Sequence, residues 1–335
     1  MFKKVIRTML EQKSRYIGSV VLLLISSMMF VLMIMTSVNL DNTFKTFSEQ
    51  NILSDAEFSV NGEIDVTALS EQFDAKIEHG GTADCEVKPN QMLRVFSMMD
   101  TVNLPAVQKG DLPGRSEITL DRSFAETNGY GIGDTIHVAG KDFTVSGYSI
   151  LPNFIYVIKS KEAMINDPKT FGVAVVSKAD FNSLPDRSQV YAVRFNEREN
   201  IKAQEAAVKN ELRSRGIGIT NWQSTEKKVN VSYIPMEVGV LSSMSTAVPL
   251  AMLGLTCVLL GLLMWRMIKS ESIIIGTFYA QGYRRMELRR HYLMFPLLIS
   301  AAGSVTGSIL GLLLVGYLFR FMLTAFPMPV YEMTY

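Results

Sequence analysis

Three stretches of this 335-residue chain, 16–38, 247–268 and 293–319, are apolar over a length that can cross a bilayer and are nearly free of charge. A crossing takes about 20 residues of helix. The chain therefore reads as a multi-pass α-helical membrane protein, and a single soluble enzyme is excluded.

Orientation follows from Lys and Arg, which are enriched in short cytoplasmic flanks. Residues 1–15 hold Lys3, Lys4, Arg7, Lys13 and Arg15 against Glu11, and the surroundings of the second loop hold Arg266, Lys269, Arg284, Arg285, Arg289 and Arg290 against Glu271 and Glu287. Both are expected in the cytoplasm. The segment 39–246 carries 21 Lys and Arg against 28 Asp and Glu, a net of −7, and is expected outside. The first stretch is longer than a signal-peptide core and lacks an A-x-A cleavage site, so it reads as an uncleaved anchor. Ahead of it Phe2, Val5, Ile6, Met9 and Leu10 recur at helical spacing. They form either an amphipathic helix in the membrane interface or a charged tail.

The exterior segment is long enough for one large domain or two small ones. Alternation of Ile136 with Val138 and of Phe143 with Val145 predicts a hairpin about Gly140. Residues 189–195 read as a strand, 199–215 as a helix ended by Gly216, and 218–222 as another strand. The expected fold class is therefore three spans with a large extracytoplasmic α+β domain. No catalytic set emerges. The run Gly129, Gly131, Gly133, Asp134 lacks the Lys and Ser/Thr of a phosphate loop and reads as a turn. Ser224-x-x-Lys227 has no Lys-Thr-Gly or Ser-Asp-Asn partner. His79, His137 and His291 are scattered without acid or Cys at metal-ligand spacing, and Cys85 outside cannot pair with Cys257 inside a span.

In the third stretch Gly303, Gly307 and Gly311 recur at every fourth position beside Ser300, Ser304 and Ser308. Such a face lets another helix approach closely; plain flexibility is the other reading. None of the three has a charge at its centre, which argues against an ion or proton route. The loop 269–292 can form a helix from Lys269 to Gln281 with Ile274, Phe278 and Gln281 on one side and Gly282 as a left-handed cap, then a second helix from near Arg284. Large apolar residues there need lipid headgroups or a protein partner to cover them.

The loop sequence Glu271-x-x-Ile274-Ile275-Gly276-Thr277-x-Tyr279-Ala280-x-Gly282-Tyr283-Arg284-Arg285-x-Glu287-Leu288, followed by the Gly-spaced helix, resembles the core of FtsX-like ABC transporter permeases. The exterior run Gly129-x-x-Ile132-Gly133-Asp134-x-Ile136-x-Val138-x-Gly140-x-x-Phe143-x-Val145-x-Gly147 is similar to the MacB-type periplasmic core domain of the same superfamily. The order of parts also agrees: anchor, large exterior domain, helical pair.

That resemblance implies a permease of the cell membrane working with a separate ABC ATPase, which would hold the ATP and Mg; no cofactor is expected in this chain, and no nucleic acid among its partners. It assigns ATPase coupling to Glu271, Gly276, Ala280, Gly282 and Tyr283, to which the apolar side of the same helix adds Ile274 and Phe278, and it implies either mechanical transmission or export of a lipid, peptide or antibiotic. A complete unit of the family has four spans, and three are read here, with 320–335 as an extracytoplasmic tail. A second permease half, or the remainder of a longer permease, is therefore expected to add a span packing on Gly303, Gly307 and Gly311. The competing expectation is a transmembrane sensor or scaffold that regulates cell-wall enzymes without transport.

Overall fold

The computed structural model describes residues 13–160, 166–325 and 328–329. The apolar stripe from Phe2 to Leu10 lies outside them. A long helix, α1 (Lys13–Gln50), comes first. Then follow β1 (Ala56–Asn61), α2 (Val66–Gln72), β2 (Ala75–Lys88), β3 (Gln91–Ser97), β4 (Ala106–Gly110) and β5 (Glu117–Leu120). Helix α3 (Arg122–Asn128) precedes the β6 (Thr135–Val138) and β7 (Lys141–Ile150) hairpin. Next are β8 (Phe171–Val176), α4 (Lys178–Phe181), β9 (Ser188–Phe195), α5 (Ile201–Ser214) and β10 (Gly218–Ser224). Three more helices follow: α6 (Val229–Ser270), α7 (Ser272–Ala280) and α8 (Arg285–Ala325). The structure divides into a helical unit, whose described parts lie within Met1–Leu40 and Glu237–Met322, and a sheet unit built chiefly from Asp41–Met236.

In the sheet unit ten strands form one mixed sheet in the order β10-β1-β9-β2-β3-β8-β5-β7-β4, with β6 added on β7. Among the described strands, only β3 with β8 and β5 with β7 run parallel. The helices cover two apolar clusters. In one, Phe58, Leu69, Val193, Phe195, Val208 and Leu212 are buried, and Phe58 stacks on Trp222 and Tyr191 at 4.8 and 5.5 Å. In the other, Ile136, Val138, Phe143 and Val145 of the hairpin pack with Leu93, Val95, Ile118 and Phe124. Asp121 caps α3 by accepting the Phe124 N–H, and Gly129 ends it in a left-handed conformation. The Gly-rich run after it is a turn, closed by the Gly131 N–H on the Asp134 carboxylate at 2.7 Å. Ser224 donates its hydroxyl to Glu205, which also receives the Trp222 indole N–H.

In the helical unit α1, α6 and α8 are each long and apolar enough to cross a membrane. Each outruns the stretch expected from apolarity: residues 39–50 contain no Gly or Pro and continue α1, and α8 runs through 320, where a tail was expected, to Ala325. The glycines of α8 face α1. A Cβ on Gly303 would stand 2.7 Å from Leu23 Cβ and one on Gly311 2.8 Å from Val31 Cβ, while one on Gly307 would collide with Ser27 Oγ and the Leu24 carbonyl. The close approach expected for a further span is thus spent within the chain, on its own first helix. Serines of α1 bridge both ways: Ser27 donates to the Ser304 carbonyl at 3.1 Å, Ser26 to Pro249 at 3.2 Å and Ser37 to Val238 at 3.1 Å. On the other side of α8, Val305, Ile309, Leu313, Tyr317 and Phe321 form an exposed stripe at four-residue spacing.

Candidate functional site

The helical hydrogen-bond ladder passes almost unbroken from α6 into α7. Glu271, between them, donates its N–H to Met267 and accepts that of Ile275, both at 2.9 Å. Its carboxylate accepts the Tyr292 hydroxyl at 2.6 Å. Tyr292 is buried in α8 with Phe295 and Ile299 against Tyr16, Leu23 and Met267. Glu271 therefore ties the start of α7 to the head of α8. The spacing of 21 residues hid this pairing; its one visible signal was a tyrosine at the edge of an apolar stretch, where a polar tip wants a partner.

The far end of α7 is closed by a Schellman motif. Gly282 has φ of +92°, its N–H reaches the Tyr279 carbonyl at 3.1 Å, and the Tyr283 N–H reaches the Phe278 carbonyl at 3.1 Å. The apolar contact that accompanies such caps is the Phe278–Tyr283 ring pair, edge to face with centroids 5.4 Å apart. Helix α8 then starts at once. Arg284 donates its N–H to the Glu287 carboxylate at 3.0 Å, one half of a capping box. Arg285 lies over the Tyr279 ring at 5.7 Å.

Of the residues expected to couple, Glu271, Phe278, Gly282 and Tyr283 shape the two ends of α7. Phe278 is half-buried by its pairing with Tyr283, so it does not stand open beside Ile274. The outward face is instead Ile273, Gly276, Thr277 and Ala280, with Ile274 next to it; Ile273 is 80% exposed and Ile274 48%. Among the described residues, and apart from the backbone of α7 itself, nothing comes within 4 Å of where a Cβ on Gly276 would stand. Ile273 and Thr277 lie one position round the helix from Ile274 and Phe278, and periodicity gave no sign that the cap draws Phe278 onto Tyr283 and so shifts the open face toward them. The arrangement offers no acid–base pair on a substrate; it offers apolar contact area on a helix pinned at both ends. Among the described residues no group of three His, Cys, Asp or Glu could hold a metal ion.

Residues 246–333 match the FtsX-like permease C-terminal family. The FtsX-like region thus contains α7, α8 and the apolar part of α6, and its match supports an ABC-transporter-type permease and a membrane protein. No curated protein matches the chain. Among solved structures, the periplasmic region of MacB from Actinobacillus actinomycetemcomitans is similar, at 13% identity and a TM-score of 0.32 over 53% of this chain and 92% of that one.

Proposed function

We propose that this chain is the permease subunit of an ABC transporter whose separate ATPase docks on α7, and that α6 and α8 carry the ATPase's motion toward the exterior sheet unit. The observation that carries the reading is the exposed apolar face of α7 on a helix fixed at one end by Glu271–Tyr292 and at the other by the Gly282 cap. A rigid element transmits displacement, whereas a loose loop absorbs it. The FtsX-like match supports the partner class, and the Lys and Arg distribution supports an amino terminus and α7 in the cytoplasm with the net −7 segment outside. In this reading ATP hydrolysis belongs to the partner, lipid covers the outward stripe of α8, and the output is either mechanical transmission or expulsion of a lipid, peptide or antibiotic.

The test is to purify the full-length protein in mild detergent and identify co-purifying proteins by mass spectrometry, beside Gly282→Pro and Tyr283→Ala. Proline cannot adopt the φ of +92° and lacks the N–H given to Tyr279, so the first variant breaks the cap on two counts. An ATPase retained by the parent and lost from Gly282→Pro, with Tyr283→Ala intermediate, is the expected result. If no ATPase accompanies the parent, the sensor or scaffold reading takes its place.

A further inference from the structure

The sheet unit contains a cavity of about 460 Å³, within the size range of small-molecule sites. Its walls divide by chemistry. Phe44 of α1, Leu53, Ile201 of α5 and Val231 of α6 make an apolar side, and Lys45, Arg198 and Lys202 make a basic rim. The two buried acids of the wall have their acceptors engaged. Asp55 takes the Phe195 N–H at 2.9 Å and Arg198 Nη1 at 2.7 Å, and Glu205 takes Trp222 and Ser224 at 2.9 and 2.6 Å.

The donors, by contrast, are largely unspent. Lys45 uses one of its three N–H groups on Asp41, and Lys202 one on Glu226. Arg198 reaches Asp55 through Nη1 alone. Glu49 is the one exposed wall acid with no ion-pair partner among the described residues. The unmet demand at this cavity is therefore for an anion beside an apolar body.

We infer that the cavity binds a phosphate-headed amphiphile, its headgroup at Lys45, Arg198 and Lys202 and its alkyl part along Phe44, Leu53, Ile201 and Val231. Such a ligand is at hand: in sequence Phe44 lies six residues beyond the end of the first apolar stretch, about 9 Å of helix. The inference goes beyond the transporter reading and needs no ATPase, so either can fail without the other.

The test uses the full-length protein in phosphatidylcholine nanodiscs containing a few per cent of phosphatidic acid with a photoreactive acyl chain, and maps labelled peptides by mass spectrometry. Labelling is expected within 44–55 and 225–235, and the double variant Lys45→Glu, Lys202→Glu should cut it about tenfold, since each charge-assisted contact carries a large share of anion affinity. Both side chains are well exposed, 65% and 81%, so an unchanged Tm should accompany the loss. Should the double variant melt early, Lys202→Gln alone decides, with a loss of about threefold expected. A photoreactive diacylglycerol should label about tenfold less, and millimolar inorganic phosphate should not displace the lipid. Equal labelling by the diacylglycerol, no effect of the charge changes, or full displacement by inorganic phosphate would each overturn the inference.

Discussion

Gly307 shows how much one hydrogen atom in place of a side chain decides. The carbonyl of Leu24 and the hydroxyl of Ser27 occupy the space that any Cβ there would need. Gly307→Leu should lower the thermal stability of the detergent-solubilised protein by about 1–3 kcal/mol, the usual cost of overpacking, while Val305→Ala on the outward stripe should stay within about 0.5 kcal/mol. Equal melting of the two variants would contradict the packing. The glycine register was legible from spacing alone; its partner was not, because spacing marks a close approach without saying which helix makes it. Glu78 in β2 is a second case. Burial pushes its carboxyl up, but Lys178, the N–H groups of Asp100 and Thr101 and the Thr101 hydroxyl outweigh that and hold it below its ordinary 4.5. Lys178, despite the opposing effect of burial, is held above its ordinary 10.5 by Asp100 and Glu78. A depressed acid stabilises above 4.5 and loses that contribution as pH falls through its folded value; a raised base stabilises below 10.5 and loses it as pH rises through its own. Urea unfolding of Glu78→Gln should show a loss of about 1.5–3 kcal/mol at pH 7 and a shallower acid limb than the parent; parallel pH profiles would count against it.

At the scale of elements, α7 and its cap were the most readable part of the chain. Gly282 followed by an aromatic residue, then Arg284 and Glu287, is a stop and a start within six positions, and both signals act locally. The inward turn of Phe278 was not readable, because periodicity ranks it with Ile274 and only the cap brings Tyr283 onto its ring. Gly282→Ala should cost about 1 kcal/mol through the left-handed backbone, which hydrogen exchange would detect as roughly fivefold faster exchange of the Tyr283 amide. An unchanged rate would mean that the cap does not hold the corner. The β6–β7 hairpin was equally legible, its four alternating residues all buried. Strand order was not: β1 lies between β10 and β9, more than 120 residues away, and such pairing leaves no local mark.

For the whole molecule, composition divided the chain into apolar spans and a polar α+β segment, and the structure divides it near the same places, with residues 237–246 joining the helical unit. What composition could not convey is that α8 packs through its glycines on α1, across the long interruption that residues 41–236 make in the helical unit. Ribosomes add about 5–20 residues per second, so residues 41–236 take roughly 10–40 s to appear after α1 has been made. Throughout that interval α1 is a lone helix in the lipid, with Ser26, Ser27 and Ser37 limited to bonds within their own turns and the seat of Gly307 empty. Any other small-faced helix nearby competes for that seat. The birth order of the segments thus gives the nascent chain a window in which its first helix is open to mispairing, because all of residues 41–236 are synthesised before the proper partner arrives.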